Sequence, residues 1–160
     1  MYIPFDQLPT HARLWIYQAD RPLTEQEQAE IKPMLQRFAT EWSSHGAGLE
    51  ASATLLHNQF LVLANNESAT SASGCSIDSS VKFVRELEQH FGVSFFDRTR
   101  LAFLQDGQVQ LVPLSQIKDK VSAGEISENS LYFDTLVNNL GDLQSAWPRP
   151  ASSSWLSRYF

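Results

Sequence analysis

The sequence predicts an α+β protein in which helices cover one face of an antiparallel sheet, and three observations lead there. Runs of two-residue alternation at 13–19, 51–57, 60–64, 98–104 and 108–112 are interrupted by two segments of helical periodicity. The first six elements therefore follow the order β-α-β-β-α-β, the split arrangement of a ferredoxin-like sandwich. Asp106-Gly107 between two alternating runs is a strong hairpin signal that adds one strand after these six. Hydrophobic residues make up 42% of 160 residues and charged residues 19%, enough for one packed core and far from the composition of disorder. Two further helices and a docked tail complete the expected fold. Residues 1–150 read as one domain and 151–160 as an aromatic tail.

The elements are justified in turn. Leu14 and Ile16 alternate with Trp15 and Tyr17, giving a strand that Arg21-Pro22 ends. Thr24 and Glu27 have capping-box spacing, so a helix starts at Thr24. Its stripe is Ile31, Met34, Leu35, Phe38 and Trp42, with Gly46 as the stop and Pro33 predicting a kink or a restart on the solvent side. Asn58-Gln59 reads as a tight turn between two strands, of which Phe60-Leu61-Val62-Leu63 is apolar on both faces and suits the sheet centre. Ile77, Val81, Val84, Leu87 and Phe91 mark a second helix ended by Gly92. Ser115 is placed to cap a short helix that Gly124 stops. Tyr132, Leu136, Leu140, Leu143 and Trp147 predict a last helix that Pro148 must end.

Composition excludes several function classes. The formal charge is −6, and the 12 basic residues are scattered, which disfavours nucleic-acid binding because phosphate neutralisation needs clustered cations. No apolar stretch approaches the ~18 residues of a membrane span, so membrane insertion is not expected. The single Cys75 cannot form an intramolecular disulfide, and the N-terminal residues lack a signal-peptide pattern. A cytoplasmic location is expected. The four His residues show no zinc spacing, so neither a metal nor another cofactor is expected.

The most unusual segment is Ser71-Ala72-Ser73-Gly74-Cys75-Ser76-Ile77-Asp78, a small-residue loop that enters the second helix. Amides at a helix start point outward together and the dipole adds about half a positive charge, so the segment can hold an anion through Ser73, Gly74 and Ser76 or activate a thiol. Cys75 is then the candidate nucleophile, with His45 or His57 as base and Asp78 as orienter. The bland alternative makes Ser73 or Ser76 an N-cap, Asp78 a partner of the dipole and Cys75 a small buried hydrophobe. That alternative carries more weight. His45, four residues after Glu41, otherwise suits a helix C-terminus.

Arg98 and Arg100 sit on one face of a strand start and can hold a carboxylate or phosphate, although pairing between Asp97 and Arg98 is the simpler expectation. In the tail, Trp155, Leu156, Tyr159 and Phe160 must find cover, either on their own domain or on a second copy or protein partner.

Taken together, Trp15-Ile16-Tyr17-Gln18, Leu23-Thr24, Trp42 with His45-Gly46, Ser73-Gly74-Cys75-Ser76-Ile77-Asp78, Asp97-Arg98 and Ser154-Trp155 resemble an uncharacterised family of small bacterial proteins often labelled "ABC transporter ATPase". That label implies at most an accessory role beside a transporter. A phosphate-binding loop needs Gly before its Lys and Ser or Thr after it, and none of Lys32, Lys82, Lys118 and Lys120 meets that requirement. ATPase activity is not expected. The sequence favours a non-catalytic binding or accessory domain over a thiol-dependent or anion-binding enzyme centred on Cys75.

Overall fold

In the computed structural model, which describes residues 1–160, local chemistry sets most element boundaries. β1 (Arg13–Gln18) leads into α1 (Glu25–Glu41). Thr24 Oγ1 accepts the Glu27 amide at 3.2 Å and the Glu27 carboxylate accepts the Thr24 amide at 2.9 Å, which satisfies two amides that the helix start would leave orphaned. Both terminal nitrogens of Arg21 also donate to this carboxylate, at 2.8 and 2.9 Å. α1 continues through Pro33 without a restart. Pro33 is exposed, so the hydrogen bond it removes lies on the wet side and no core contact is lost.

α1 ends at Trp42, short of Gly46. β2 (Ser43–Ser44) and β3 (Ala47–Gly48) then form a minimal hairpin turned by His45 and Gly46 at φ 51° and 81°. β4 (Ala51–Leu56) and β5 (Phe60–Asn65) are joined through His57 and Asn58, both left-handed. α2 (Gly74–Phe91) is capped by Ser73 and stops at Gly92, whose φ of 65° costs a glycine least. β6 (Arg100–Gln105) and β7 (Gln108–Pro113) close around Asp106-Gly107, both at positive φ, as the sequence predicts. α3 (Ile117–Ser122) is entered through a 3₁₀ turn at Leu114–Gln116 without a Ser115 cap. β8 (Leu131–Tyr132), α4 (Leu140–Ser145) and β9 (Arg149–Pro150) follow.

Two main sheets result, both antiparallel, in the orders β1-β5-β4 and β7-β6-β8-β9. β5 is central in the first, and all six of its residues are buried. Leu61 and Leu63 pack toward Ile31 and Leu35 of α1 and Val84 and Leu87 of α2, while Val62 and Ala64 pack toward Leu140 and Leu143. Burial on both faces explains the uninterrupted apolar run. The second sheet lies behind the first, joined through Phe60, Ala102 and Phe133. Its other face carries Leu101 and Phe103 against Ile117 of α3 and Leu156 of the tail.

This arrangement corrects two expectations from the sequence. Residues 98–104 do not complete the first sheet as its fourth strand, because both edges concerned are taken: the Leu14 amide donates to the Asn138 carbonyl at 2.9 Å and the Leu140 amide to the Ala12 carbonyl at 3.0 Å, while β6 pairs with β8. The helix expected over 132–147 reduces to α4, since Tyr132 belongs to β8 and Leu136 is 64% exposed. The tail docks on its own domain. Leu156 is buried there, Trp155 Nε1 donates to the Tyr132 hydroxyl at 3.1 Å, and only Phe160 remains a large exposed apolar side chain of the tail.

The Arg21-Glu27-Thr24 cluster makes stability depend on pH. Hydrogen bonds from Arg21, then from the Thr24 amide, hold the Glu27 carboxyl at about 2 against an ordinary 4.5. A depressed folded-state value contributes stability above the ordinary value, and that contribution is lost as pH falls through the folded one. Glu27→Gln is expected to lower the urea midpoint near neutral pH, with the gap to the parent protein closing as pH falls from about 4.5 toward about 2. A gap that stays constant over that interval contradicts the assignment.

Candidate functional site

α1 and α2 run side by side on the first sheet with opposite directions, so the end of α1 meets the start of α2. The contact is specific. The buried Trp42 indole donates from Nε1 to the Ser76 carbonyl at 2.8 Å, and Ser79 Oγ donates to the same oxygen at 2.8 Å. Ser76 is fixed in turn by a reciprocal cap: Ser73 Oγ accepts the Ser76 amide at 3.2 Å and Ser76 Oγ accepts the Ser73 amide at 2.6 Å. Farther along, Phe38 and Phe83 stack with centroids 4.3 Å apart and planes 4° from parallel.

Above these aromatics the two helices leave an open groove of about 620 Å³. Met34, Phe38, Trp42 and Phe83 supply its apolar floor, and Arg37, Glu41, Lys82 and Glu86 its charged walls. None of those four charges has an ion-pair partner in the fold. His45, Cys75, Ser76 and Ser79 close the end where the helices are tied together.

The groove unites some of the residues singled out from sequence and separates others. Cys75 and His45 both line it, and Cys75 is exposed, which corrects the expectation of a small buried hydrophobe. The buried residue of the segment is Ser76, because the capping geometry turns its side chain back onto Ser73. Ser73 and Ser76 are thereby engaged with each other, and Gly74 is exposed at the first helical position. Asp78 is exposed on α2 outside the groove. His57 lies on the opposite face of the first sheet, against Phe133 at 4.9 Å and Trp147 at 5.9 Å between centroids, where burial pushes its imidazole down from the ordinary value. His57 therefore cannot serve Cys75 as base.

Arg98 lies elsewhere as well, at a cavity where β1 meets the start of β6. Asp97 does not pair with it. The Asp97 carboxylate accepts from Thr99 Oγ1 and amide and from Arg100, and these bonds, those from Thr99 foremost, hold it below the usual carboxylate range. The pairing expected between Asp97 and Arg98 is thus replaced by a turn that Asp97 closes on itself, which leaves Arg98 unpaired.

Phe83, Arg37 and Lys82 were not legible as site residues. A signal existed in Phe83, a large aromatic that falls off the stripe of α2 and packs only at the margin of the core, half-exposed. No group of three or more His, Cys, Asp and Glu side chains is arranged to hold a metal ion. No helix is long and apolar enough to cross a membrane. The class of protein defined so far is a two-sheet α+β domain with an interhelical groove. No protein-family model, no curated protein and no solved structure matches the chain.

The placement of Cys75 is open to a direct check. Iodoacetamide is expected to modify Cys75 in the native protein within about tenfold of the rate in the unfolded chain, and Cys75→Ala to change stability by no more than about 0.5 kcal/mol, as for other exposed positions. A thiol protected until denaturant is added contradicts the geometry.

Proposed function

We propose that the protein is a non-catalytic binding domain whose ligand lies between α1 and α2. The observation that supports this is the groove itself. Its volume of about 620 Å³ falls within the range of roughly 300–1,000 Å³ typical of small-molecule sites. The Phe38-Phe83 stack, with Met34 beside it, offers a flat apolar surface that the fold leaves half-exposed. Four charges that find no partner within the protein stand around it. An amphipathic organic ligand, apolar in its body and charged at its edges, complements both features. We read the scaffold as a split β-α-β core of the ferredoxin-like kind, in which α1 and α2 share one face of the first sheet.

A second reading has one observation in its favour: the exposed Cys75 lines the same groove as His45. A thiol-dependent enzyme would use Cys75 as nucleophile and His45 as base. Such sites also orient the base with a third group; Asp78, the orienter expected from sequence, lies outside this groove, and Glu41, which lines it, forms no ion pair with His45. Binding therefore comes first.

Anilinonaphthalene sulfonate, an apolar fluorophore with one charge, serves as the probe. The native protein is expected to bind it saturably with quenching of Trp emission, and Phe83→Ala and Lys82→Glu each to weaken binding by about tenfold, or ~1.4 kcal/mol. Lys82→Glu changes only an exposed side chain and guards against misfolding of the Phe83 variant. Cys75→Ser is expected to leave binding intact. Absence of saturable binding, or binding that neither groove variant alters, contradicts the proposal.

A further inference from the structure

Where the edge strand β1 meets the start of β6 lies a smaller and more enclosed cavity of about 190 Å³. Ile16, Phe95, Leu101 and Trp155 give it apolar walls, and Leu136, 64% exposed, stands at its rim. The charged residues that line it are Asp97, Arg98 and Arg100, which sum to one positive charge in a chain whose net charge is −6. Asp97 and Arg100 neutralise each other at 3.1 Å, so the surplus charge resides on Arg98, which has no ion-pair partner and no hydrogen bond within the protein. A guanidinium left free beside an apolar cavity presents several N–H donors in a fixed fork that matches a carboxylate.

Tyr132 also lines the cavity and is 3% exposed. Its hydroxyl accepts a hydrogen bond from Trp155 Nε1, and its own proton has no acceptor in the fold. Burial, foremost, pushes this phenol up to about 12, so it stays protonated throughout the physiological range. Gln18, also at the cavity, is held in place by donating to the Arg100 carbonyl at 3.0 Å.

From these observations we propose that the cavity beside β1 and β6 is a binding site for a small monocarboxylate, its carboxylate held by the Arg98 guanidinium and its short apolar body set against Ile16, Phe95, Leu101 and Trp155. One surplus positive charge selects one negative charge. The volume limits the size: it equals the share of about six water molecules at ~30 Å³ each, which admits a short aliphatic or single-ring acid and excludes a nucleotide or a long acyl chain. The site is independent of the groove between α1 and α2, with no lining residue in common.

The test uses para-fluorobenzoate, followed by fluorine NMR on the intact chain, with para-fluorobenzyl alcohol as a neutral probe of the same shape. The carboxylate is expected to bind saturably with a Kd near or below about 1 mM, and the alcohol at least about tenfold more weakly. Arg98→Gln, a change at an exposed position, should weaken carboxylate binding by about tenfold or more; Arg98→Lys should restore part of it, since the charge returns without the fork. Lys82→Glu, in the other groove, should have no effect. No saturable binding of the carboxylate, equal binding of the alcohol, or binding that Arg98→Gln leaves unchanged overturns the proposal. A carboxylate signal lost in Lys82→Glu and kept in Arg98→Gln overturns it too, and assigns the probe to the groove.

Discussion

A buried indole N–H has to find an acceptor, and for Trp42 that acceptor is the carbonyl of Ser76, in the first turn of the other helix. An unmet donor at this depth would cost about 1–3 kcal/mol, so the bond constrains how the two helices can sit on the sheet. Trp42 is 3% exposed, and its ring touches Trp15 on β1 at 5.5 Å and Phe38 on α1 at 5.0 Å between centroids. One side chain therefore ties the first strand, the end of α1 and the start of α2. The Ser73-Ser76 cap has a structural purpose beyond starting a helix, because it fixes the residue whose carbonyl Trp42 needs. With the helices joined at that end, Phe38 and Phe83 stack where the side-chain layers meet, and the groove above them follows from the same constraint.

On the other side of the first sheet, β5 carries the consequence of burial on two faces. Its odd-numbered leucines serve the helices, whereas Phe60, Val62 and Ala64 meet the second sheet and α4. The second sheet is covered in its turn by α3 and the tail, which accounts for the burial of Leu156 so near the C-terminal residue. The layers are thus helix, sheet, sheet and helix with tail. The cavity at Arg98 lies where β1 meets the start of β6, the strand to which the turn closed by Asp97 admits the chain. Apolar walls and a single free cation meet there because a strand start, which needs polar turn chemistry, abuts an apolar interface.

Elements governed by neighbours in sequence were legible, and pairings between distant segments were not. Thr24 with Glu27, Gly92 after α2 and Asp106-Gly107 each announce their structure within four residues, and each is found in place. Sheet membership of β6 depends on whether Asn138 and Leu140 occupy the edge of β1 first, a competition across more than a hundred residues that no local pattern records. Tyr132 and Leu136 keep helical spacing with α4 by coincidence; pairing with β6 claims the first, and the second faces solvent. For the candidate site, the small-residue segment around Cys75 lies at one end of the groove. Its walls escaped notice because Arg37, Lys82 and Glu86 look like any solvated helix face until the partner helix is placed beside them.

The central claim is that the bond from Trp42 to Ser76 organises the start of α2 and, through it, the groove. Hydrogen exchange on Trp42→Phe, which keeps a ring and removes the N–H, tests this most directly. The account predicts that the amides of residues 77–80, the first inside α2 to be protected by its own carbonyls, exchange about tenfold faster than in the parent protein, consistent with loss of one buried hydrogen bond of ~1 kcal/mol. Those of β5 should slow or quicken only with global stability. Unchanged protection at the start of α2, or a loss shared equally by α2 and β5, would contradict it.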